Sequence, residues 1–482
     1  MHSTHHSMKL LTSLILTALV SACTVGPNFV EPQKPSTKSF TQDGDQLNTA
    51  IQHTQMGQAV SSTWWQAFGS AQLNDVMQQA LAGNHNLASM QATLVQAQAQ
   101  VDAIMGTEDP QVSLGGTAGR QKYGKSLFGP SDFHIPPFTY YSIGPQVSYV
   151  FDFAGGKRRS IEQQKALAAY QVYETQATAL TLTGDVAAQV VNIASAKAQI
   201  DIIQKMIIDD QKNIELIQTA QRIGSATTPD LLNAQNQLAA DQALLPPLKQ
   251  QLSAATHALA VLVGKAPADW QAPNFSFKEF QLPSDLPLSL PSELVRERPD
   301  IMAAESQLHA ASAAIGVAKA NQYPSLTLSA NMTQQALSPA KLFDISSNAW
   351  ALAGGLSAPL FNGGTLKAQN RAAEAAYRSA EASYQQVVIQ SFAQVADVLK
   401  ALEHDNEEVQ SRQSAKDTAE ATLKMTQLSY QIGNVGTPQI LDADKKYRAA
   451  ELDFAQAKVQ QFADTTRLYL ALGGGALSKA NQ

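Results

Sequence analysis

Two stretches of this chain, residues 157–222 and 365–431, contain no proline and are rich in Ala and Gln. Read as helices rising 1.5 Å per residue, each extends roughly 100 Å. That is too long for a globular domain and suits a tube that crosses a compartment. An apolar seam supports the reading. Val186, Ile193, Ile200, Ile207 and Ile214 fall every seventh residue in the first stretch, and Val395, Leu402, Val409 and Leu423 mark the second. A sustained seven-residue repeat imposes a left-handed supercoil on neighbouring helices, whereas the stripe of an ordinary amphipathic helix drifts off such a seam. Lys416 stands where the first seam has Ile207, so the two need not pack identically.

The seam is one sign that the chain says the same thing twice. Phe153-Ala154-Gly155-Gly156 recurs as Phe361-Asn362-Gly363-Gly364, 208 positions later, and Ile223-Gly224 with Thr228-Pro229 recurs as Ile432-Gly433 with Thr437-Pro438, 209 later. Asn86-Leu87 matches Asp300-Ile301, and Asp109-Pro110 matches Tyr323-Pro324, each at 214. Constant order at a near-constant offset marks a duplicated unit. Each unit opens with a helix (Leu73 to Met105; Ser292 to Gln322) and continues with two alternating strands. These are Gln111 to Arg120 and Tyr141 to Phe153, then Ser325 to Met332 and Ala349 to Phe361. The long helix follows, then a tight turn and a returning helix that ends near Gly264 or Gly473. Gly224 and Gly433 supply the positive φ that stops a helix, and each Thr-Pro pair places an N-cap before a helical proline. Pro246-Pro247 should break the first returning helix, while the second has Ala455-Gln456 there.

Alternation such as Ile143, Pro145, Val147, Tyr149 and Phe151 fits a strand of about ten residues with one lipid-facing side, and Tyr140, Tyr141, Tyr149 and Phe151 could supply interfacial girdles. No stretch has 18 uninterrupted apolar residues, so any membrane-spanning part must be a β-barrel. Four strands per chain cannot close one, and open edges are not tolerated in lipid. Three chains give twelve strands, an even number within the membrane-barrel range.

The single cysteine excludes internal disulfides and CxxC motifs. It ends a leader of Met8-Lys9, an apolar run Leu10 to Val20, and Ser21-Ala22. Val20-Ser21-Ala22-Cys23 resembles a lipobox, so residues 1–22 read as a signal peptide and Cys23 as a lipidated N-terminus in outer-membrane lipid, with the chain starting at Met1 or Met8. Residues 23–72 follow as a Pro/Gln/Ser/Thr-rich tether and equatorial segment, docking at Trp64-Trp65 and Phe68. Residues 73–270 form repeat 1, 271–290 a linker, 291–473 repeat 2 and 474–482 a tail. The net charge of −6 leaves no nucleic-acid footprint. His85, His134, His257, His309 and His404 have no ligand spacing and read as solvated surface, and no phosphate loop or nucleophile–base motif is present. The sequence thus gives no cofactor, no metal and no enzyme site.

Leu290-Pro291-Ser292-Glu293-Leu294-Val295-Arg296-Glu297-Arg298-Pro299-Asp300-Ile301, followed by Ala304-Glu305, resembles the LP-x-x-LL-x-x-RPDI-x-x-AE signature of TolC/NodT-type outer-membrane factors. Tyr323-Pro324-Ser325-Leu326 adds to it, and Gly26-Pro27-Asn28-Phe29 with the lipobox points to the lipidated branch serving resistance-nodulation-division pumps. The resemblance implies an α+β, mainly α, TolC-like homotrimer with a twelve-stranded outer-membrane barrel and a periplasmic α-barrel. It would be the exit duct for small molecules in a tripartite efflux system, with a periplasmic adaptor protein and an inner-membrane transporter as partners. It further implies that the tip turns Ile223-Gly224-Ser225 and Ile432-Gly433-Asn434 contact the adaptor. Tyr430, Asp442 and Asp230 match residues of the family's closed pore gate; Val435 and Gln439 depart where the family can carry Arg and Asp. A duct for type I secretion is the alternative. A lipidated adaptor would need one hairpin flanked by β-rich segments, and a trimeric coiled-coil adhesin would lack the duplication.

Overall fold

The computed structural model describes residues 24–47, 49, 51–124 and 135–475; the signal peptide, Cys23, His134 and most of the tail lie outside them. After β1 (His53–Met56) come α1 (Ala71–Gly83), α2 (His85–Met105), β2 (Gln111–Gln121), β3 (Phe138–Phe151), α3 (Gly156–Arg222), α4 (Thr228–Gln242) and α5 (Leu245–Leu262). Then come β4 (Asp285–Leu288), α6 (Pro291–Glu297), α7 (Pro299–Ala320), β5 (Ser325–Ala336), β6 (Asn348–Ser357), α8 (Thr365–Gln431) and α9 (Thr437–Ala471). The fold is α+β and mainly α. Both long helices, α3 and α8, run 67 residues unbroken. The first returning helix is interrupted between Gln242 and Leu245, because Pro246 and Pro247 fit only a helix's first turn. Its counterpart α9 is continuous.

The chain divides into two compact units. One comprises Met1–Pro32, Leu94–Gln171 and Ala304–Tyr384; the other comprises Gln33–Thr93, Val172–Ala303 and Gln385–Gln482. The first holds an antiparallel sheet in the order β2-β3-β5-β6. The second holds the main apolar core, with a smaller cluster around Ile202, Ile203 and Met206. Trp64, Trp65 and Phe68 are buried in the main core, with Trp64 stacked on Tyr469 (5.4 Å between centroids), as the docking point expected of the tether. The seam residues Val186, Ile193, Val395 and Leu402 are buried with them. Further along α3 burial passes from Ile200 to Ile203, Met206, Asp210 and Ile217, so the seven-residue seam drifts there, while α8 keeps it to Val409 and Leu423.

Three expectations need correcting. Tether and linker, expected only as connecting segments, each hold a strand: β1 pairs in parallel with β4, from His53 opposite Asp285 to Met56 opposite Leu288. Four residues a side is too short for periodicity to reveal. Secondly, the opening helix of each repeat is two helices. Arg298 is forced out of the helical region (φ −79°, ψ 124°) by Pro299. Asn84 adopts the same conformation (φ −69°, ψ 121°), and its Oδ1 accepts from Leu87 N–H to start α2. Thirdly, the N-caps lie one residue earlier than expected, at Thr227 and Gly436, with each Thr-Pro pair inside the first turn.

The two breaks are the same joint made twice. Asn84 Nδ2 donates to Leu262 O (2.9 Å), and Arg298 Nη1 donates to Ala471 O (2.6 Å). The two acceptors are 209 positions apart and each ends a returning helix. Beside them Gly264 (φ +75°) lies so close to Gly83 O that a Cβ would approach to 2.0 Å, and Gly473 (φ +87°) abuts Glu297 O in the same way at 3.0 Å. Arg298 also grips Asp300 with two hydrogen bonds (3.0 and 2.7 Å) and donates to Gln394 Oε1 (2.8 Å). The Arg-Pro-Asp motif is thus a structural joint.

Candidate functional site: the sheet, the N-terminal strap and the hairpin tips

The sheet sorts its residues by chemistry. Cross-strand partners share a face, and each strand alternates. Val112, Val147, Ala330 and Leu352 form one row across all four strands, and Phe151, Leu326 and Leu356 form another. The opposite face carries Ser113, Gln146, Asn331 and Ala351 in a row, with Gln111, Ser148, Ser329 and Ala353 beside it. The apolar face is open: Leu114, Trp350, Leu352 and Leu356 are each 70–75% exposed. Monomeric soluble proteins rarely expose so contiguous a patch. Tyr141 lies toward one end of this face and Tyr149 and Phe151 lie at the other, whereas Tyr140 is on the polar face, its ring against Gly119. Period-two alternation puts adjacent Tyr140 and Tyr141 on opposite sides, so only one of them can join a girdle. Trp350, which does share the apolar face, was missed. Among the described residues of the single chain the outer edges of β2 and β6 have no strand partner.

In the same unit the segment after Cys23 is strapped down. Val25 N–H donates to Ala154 O (3.0 Å), and Gly26 (φ +97°) lies against Gly316, where a Cβ would come within 2.6 Å of the opposing Cα. Arg159, 4% exposed, holds Asn28 Oδ1 (2.7 Å), Val25 O (3.4 Å) and Glu162 Oε2 (2.7 Å). Phe29 stacks on His309 (4.2 Å, 11°), whose Nε2 lies 3.0 Å from Glu162 Oε1. Burial works to raise the Glu162 pKa, but hydrogen bonds from Arg159 and His309 hold it below its usual value. His309 is therefore not the solvated residue its spacing implied. No local pattern links Asn28 to Arg159, which lie 131 positions apart.

The tips close identically. Ser225 N–H reaches Ala220 O (2.8 Å) and Gly224 N–H reaches Gln221 O (3.0 Å); Asn434 N–H reaches Ser429 O (2.9 Å) and Gly433 N–H reaches Tyr430 O (2.9 Å). These are paired Schellman turns with the glycines at φ +78° and +80°. Each presents an exposed isoleucine, Ile223 (78%) and Ile432 (72%). Past the turns the two hairpins diverge. Asp230 closes a capping box on Thr227, accepting from its N–H (2.8 Å) and hydroxyl (2.7 Å), and the hydroxyl and then the backbone bond hold its pKa below the usual carboxylate value. Gly436 has no side chain to give, so only half a box remains, with its N–H donating to Gln439 Oε1 (3.1 Å). Gln439, a departure from the resembled pattern, thus has a local role. Asp442 is exposed and paired with Lys446 (2.7 Å), and Tyr430 is half-buried before its turn. No cluster of metal-ligating side chains occurs among the described residues.

The chain compares closely with known proteins. It is 30% identical to the pyoverdine export outer membrane protein OpmQ of Pseudomonas putida, over 86% of this chain and 88% of that one. It is 26% identical to the cation efflux system protein CusC of Escherichia coli K12, over 97% and 99%. The solved outer-membrane channel OprN superimposes with a TM-score of 0.84 at 26% identity, covering 94% of this chain and 99% of that one. The family model described as outer membrane efflux protein matches twice, over residues 76–265 and 290–474. With a sheet sorted into apolar and polar faces and two 67-residue helices in hand, the chain belongs to the outer membrane efflux protein family, as an outer-membrane channel component reaching into the periplasm.

Proposed function

We propose that three copies of this chain join into one exit duct for small molecules across the outer membrane and periplasm. The observation that carries the reading is the sheet, which has one continuous apolar face and two unpaired edges. In lipid each unpaired backbone group costs several kcal/mol, roughly. Pairing β6 of one copy with β2 of the next removes all edges at twelve strands and turns Ser113, Gln146 and Asn331 toward a polar lumen. The 67-residue helices continue the duct as a periplasmic α-barrel. Residues 73–270 and 291–473 act as its two repeats.

At the tips Ile223-Gly224-Ser225 and Ile432-Gly433-Asn434 are the surfaces for a periplasmic adaptor, through which an inner-membrane transporter supplies energy. Their support is the exposure of both isoleucines on rigid turns. Asp442, Tyr430 and Asp230 form the gate; Asp230 is committed to its cap, and Asp442, in an exposed pair with Lys446 that solvent screens, is the carboxylate able to turn to the lumen. OpmQ and CusC are named for different cargoes, pyoverdine and cations. One duct family thus serves unlike cargoes, which supports placing specificity in the transporter. The purified protein in planar bilayers is expected to carry a cation-selective current, and Asp442→Ala is expected to lower that selectivity by removing a ring of three charges. Absence of current overturns the duct, and unchanged selectivity removes Asp442 from the pore.

Cys23 is the anchor, and the strap supports this by fixing Thr24 onward against Gly155. Cys23→Ala is expected to abolish incorporation of labelled fatty acid. Continued labelling refutes the anchor.

A further inference from the structure

Each helical hairpin buries one pair of aspartates that the other lacks. Asp210 on α3 meets Asp241 on α4, and Asp405 on α8 meets Asp464 on α9. Shifted by the 209-residue offset, the first pair falls on Ala419 and Ala450, and the second on Ala196 and Ala255. All four counterparts are alanine. The fold therefore already contains an alanine solution at both heights, and neither acidic pair is there to fill space. The four aspartates are only 5%, 6%, 8% and 2% exposed. A buried charge is costly without a partner, yet Asp210 Oδ2 and Asp405 Oδ2 have no hydrogen-bond donor among the described residues.

The surroundings explain which member takes a proton. Asp241 accepts from Gln237 Nε2 (3.0 Å). Facing the pair are Asp209 on α3 and Asp444 on α9, with Arg448 engaged by Asp209 (2.5 Å), Glu451 (3.2 Å) and Asp444 (3.6 Å). Asp464 is held by Arg467 Nη1 (2.6 Å) and Gln460 Nε2 (2.7 Å), with Glu408 beside Asp405 on α8. Asp210 and Asp405 are left facing a carboxylate, and a proton between the two oxygens satisfies both.

We propose that Asp210–Asp241 and Asp405–Asp464 are proton-operated clasps, each holding the arms of its hairpin together while a proton is shared and releasing them when it leaves. Burial first, then the opposing carboxylate, pushes Asp210 and Asp405 each up to about 7. A group that binds its proton more tightly in the closed hairpin stabilises it fully below the ordinary value of 3.8, and that contribution is lost as pH rises toward 7. The hairpins are thus tight in acid and loosen as pH climbs to neutrality. The clasps also stand at unequal heights, roughly 18 Å from the turn in the first hairpin and roughly 40 Å in the second at 1.5 Å per residue. Release therefore frees a short end of one hairpin and a long end of the other.

The test uses the full protein in lipid nanodiscs and does not depend on the duct reading. Infrared difference spectra between pH 6 and 8 should show a protonated carboxyl titrating near 7. The band should vanish when both pairs are replaced by alanine, a packing the opposite repeat already uses. Spin labels on the two arms at exposed Gln211 and Gln242 should move apart over the same range. With Asp210→Asn, whose amide is a permanent donor, they should stay close at both pH values. No carboxyl titrating above pH 6 overturns the proposal, as does a titration without a change in distance, or an Asn variant that opens like the parent.

Discussion

Gly144→Val is expected to abolish the heat-sensitive trimer band that the proposed assembly should give on unboiled gels, and to leave the protein out of the outer-membrane fraction. Gly144 sits in β3, which pairs on both sides, with β2 and β5. A Cβ built there lies 2.1 Å from Met332 O and 2.6 Å from Thr333 Cα. Both obstacles are backbone, so no rotamer relieves them, and β5 must move away. The neighbouring Pro145 brings no N–H to the ladder, so this crossing has little pairing to spare. The registers Ile143 opposite Gln334 and Gln146 opposite Asn331 flank the contact and would be pulled apart. In lipid the freed groups cannot turn to water. Gly115→Ala is the control: it lies on the polar face of β2 with open space around it and should assemble normally. A normally assembled Gly144→Val trimer would refute the β3–β5 contact.

Arg298→Ala is expected to cost about 2 kcal/mol, the scale for orphaning a buried carbonyl and losing charge-assisted bonds to a half-exposed Asp300, read as a lower unfolding temperature of the purified protein. The substitution orphans Ala471 O, strips Asp300 of its two bonds from Arg298, leaving only the one from Ile301 N–H, and removes the donor to Gln394. Lysine should restore little, because a point charge cannot serve three acceptors in a planar fork. The twin joint provides the comparison. Asn84→Ala removes one bond to Leu262 O and the cap of α2, and should cost less, about 1 kcal/mol. Equal losses at the two positions would mean that the extra reach of Arg298 contributes nothing.

Much of this molecule is legible in one dimension because its regularities are periodic. Proline-free runs bounded by a Gly-Gly pair and a tip glycine mark both long helices to within a residue, and alternation marks all four strands of the sheet with errors of a few residues at their ends. The glycines at 224 and 433 mark the turns. The reading fails where a contact is long in sequence or short in extent. The β1–β4 pair, the Arg159 strap and the grip of Arg298 on Ala471 join residues 131 to more than 230 positions apart, and no window sees them. Arg298-Pro299-Asp300 reads as a signature in the sequence, and only its hydrogen bonds show what it holds.

The sequence by itself determined the duplication, the helix lengths, the turn positions and the need for another chain at the sheet edges. Each comes from local sterics or from backbone groups that must be paired. Only the tertiary structure decided which side chains meet across the repeats: that Asp230 is bound to its own cap, that His309 stacks on Phe29, and that Asp210 and Asp405 each face a second carboxylate. Those outcomes depend on burial and on partners brought from distant segments. A duplicated chain can place alanine in one copy and aspartate in the other without altering the period that specifies the fold.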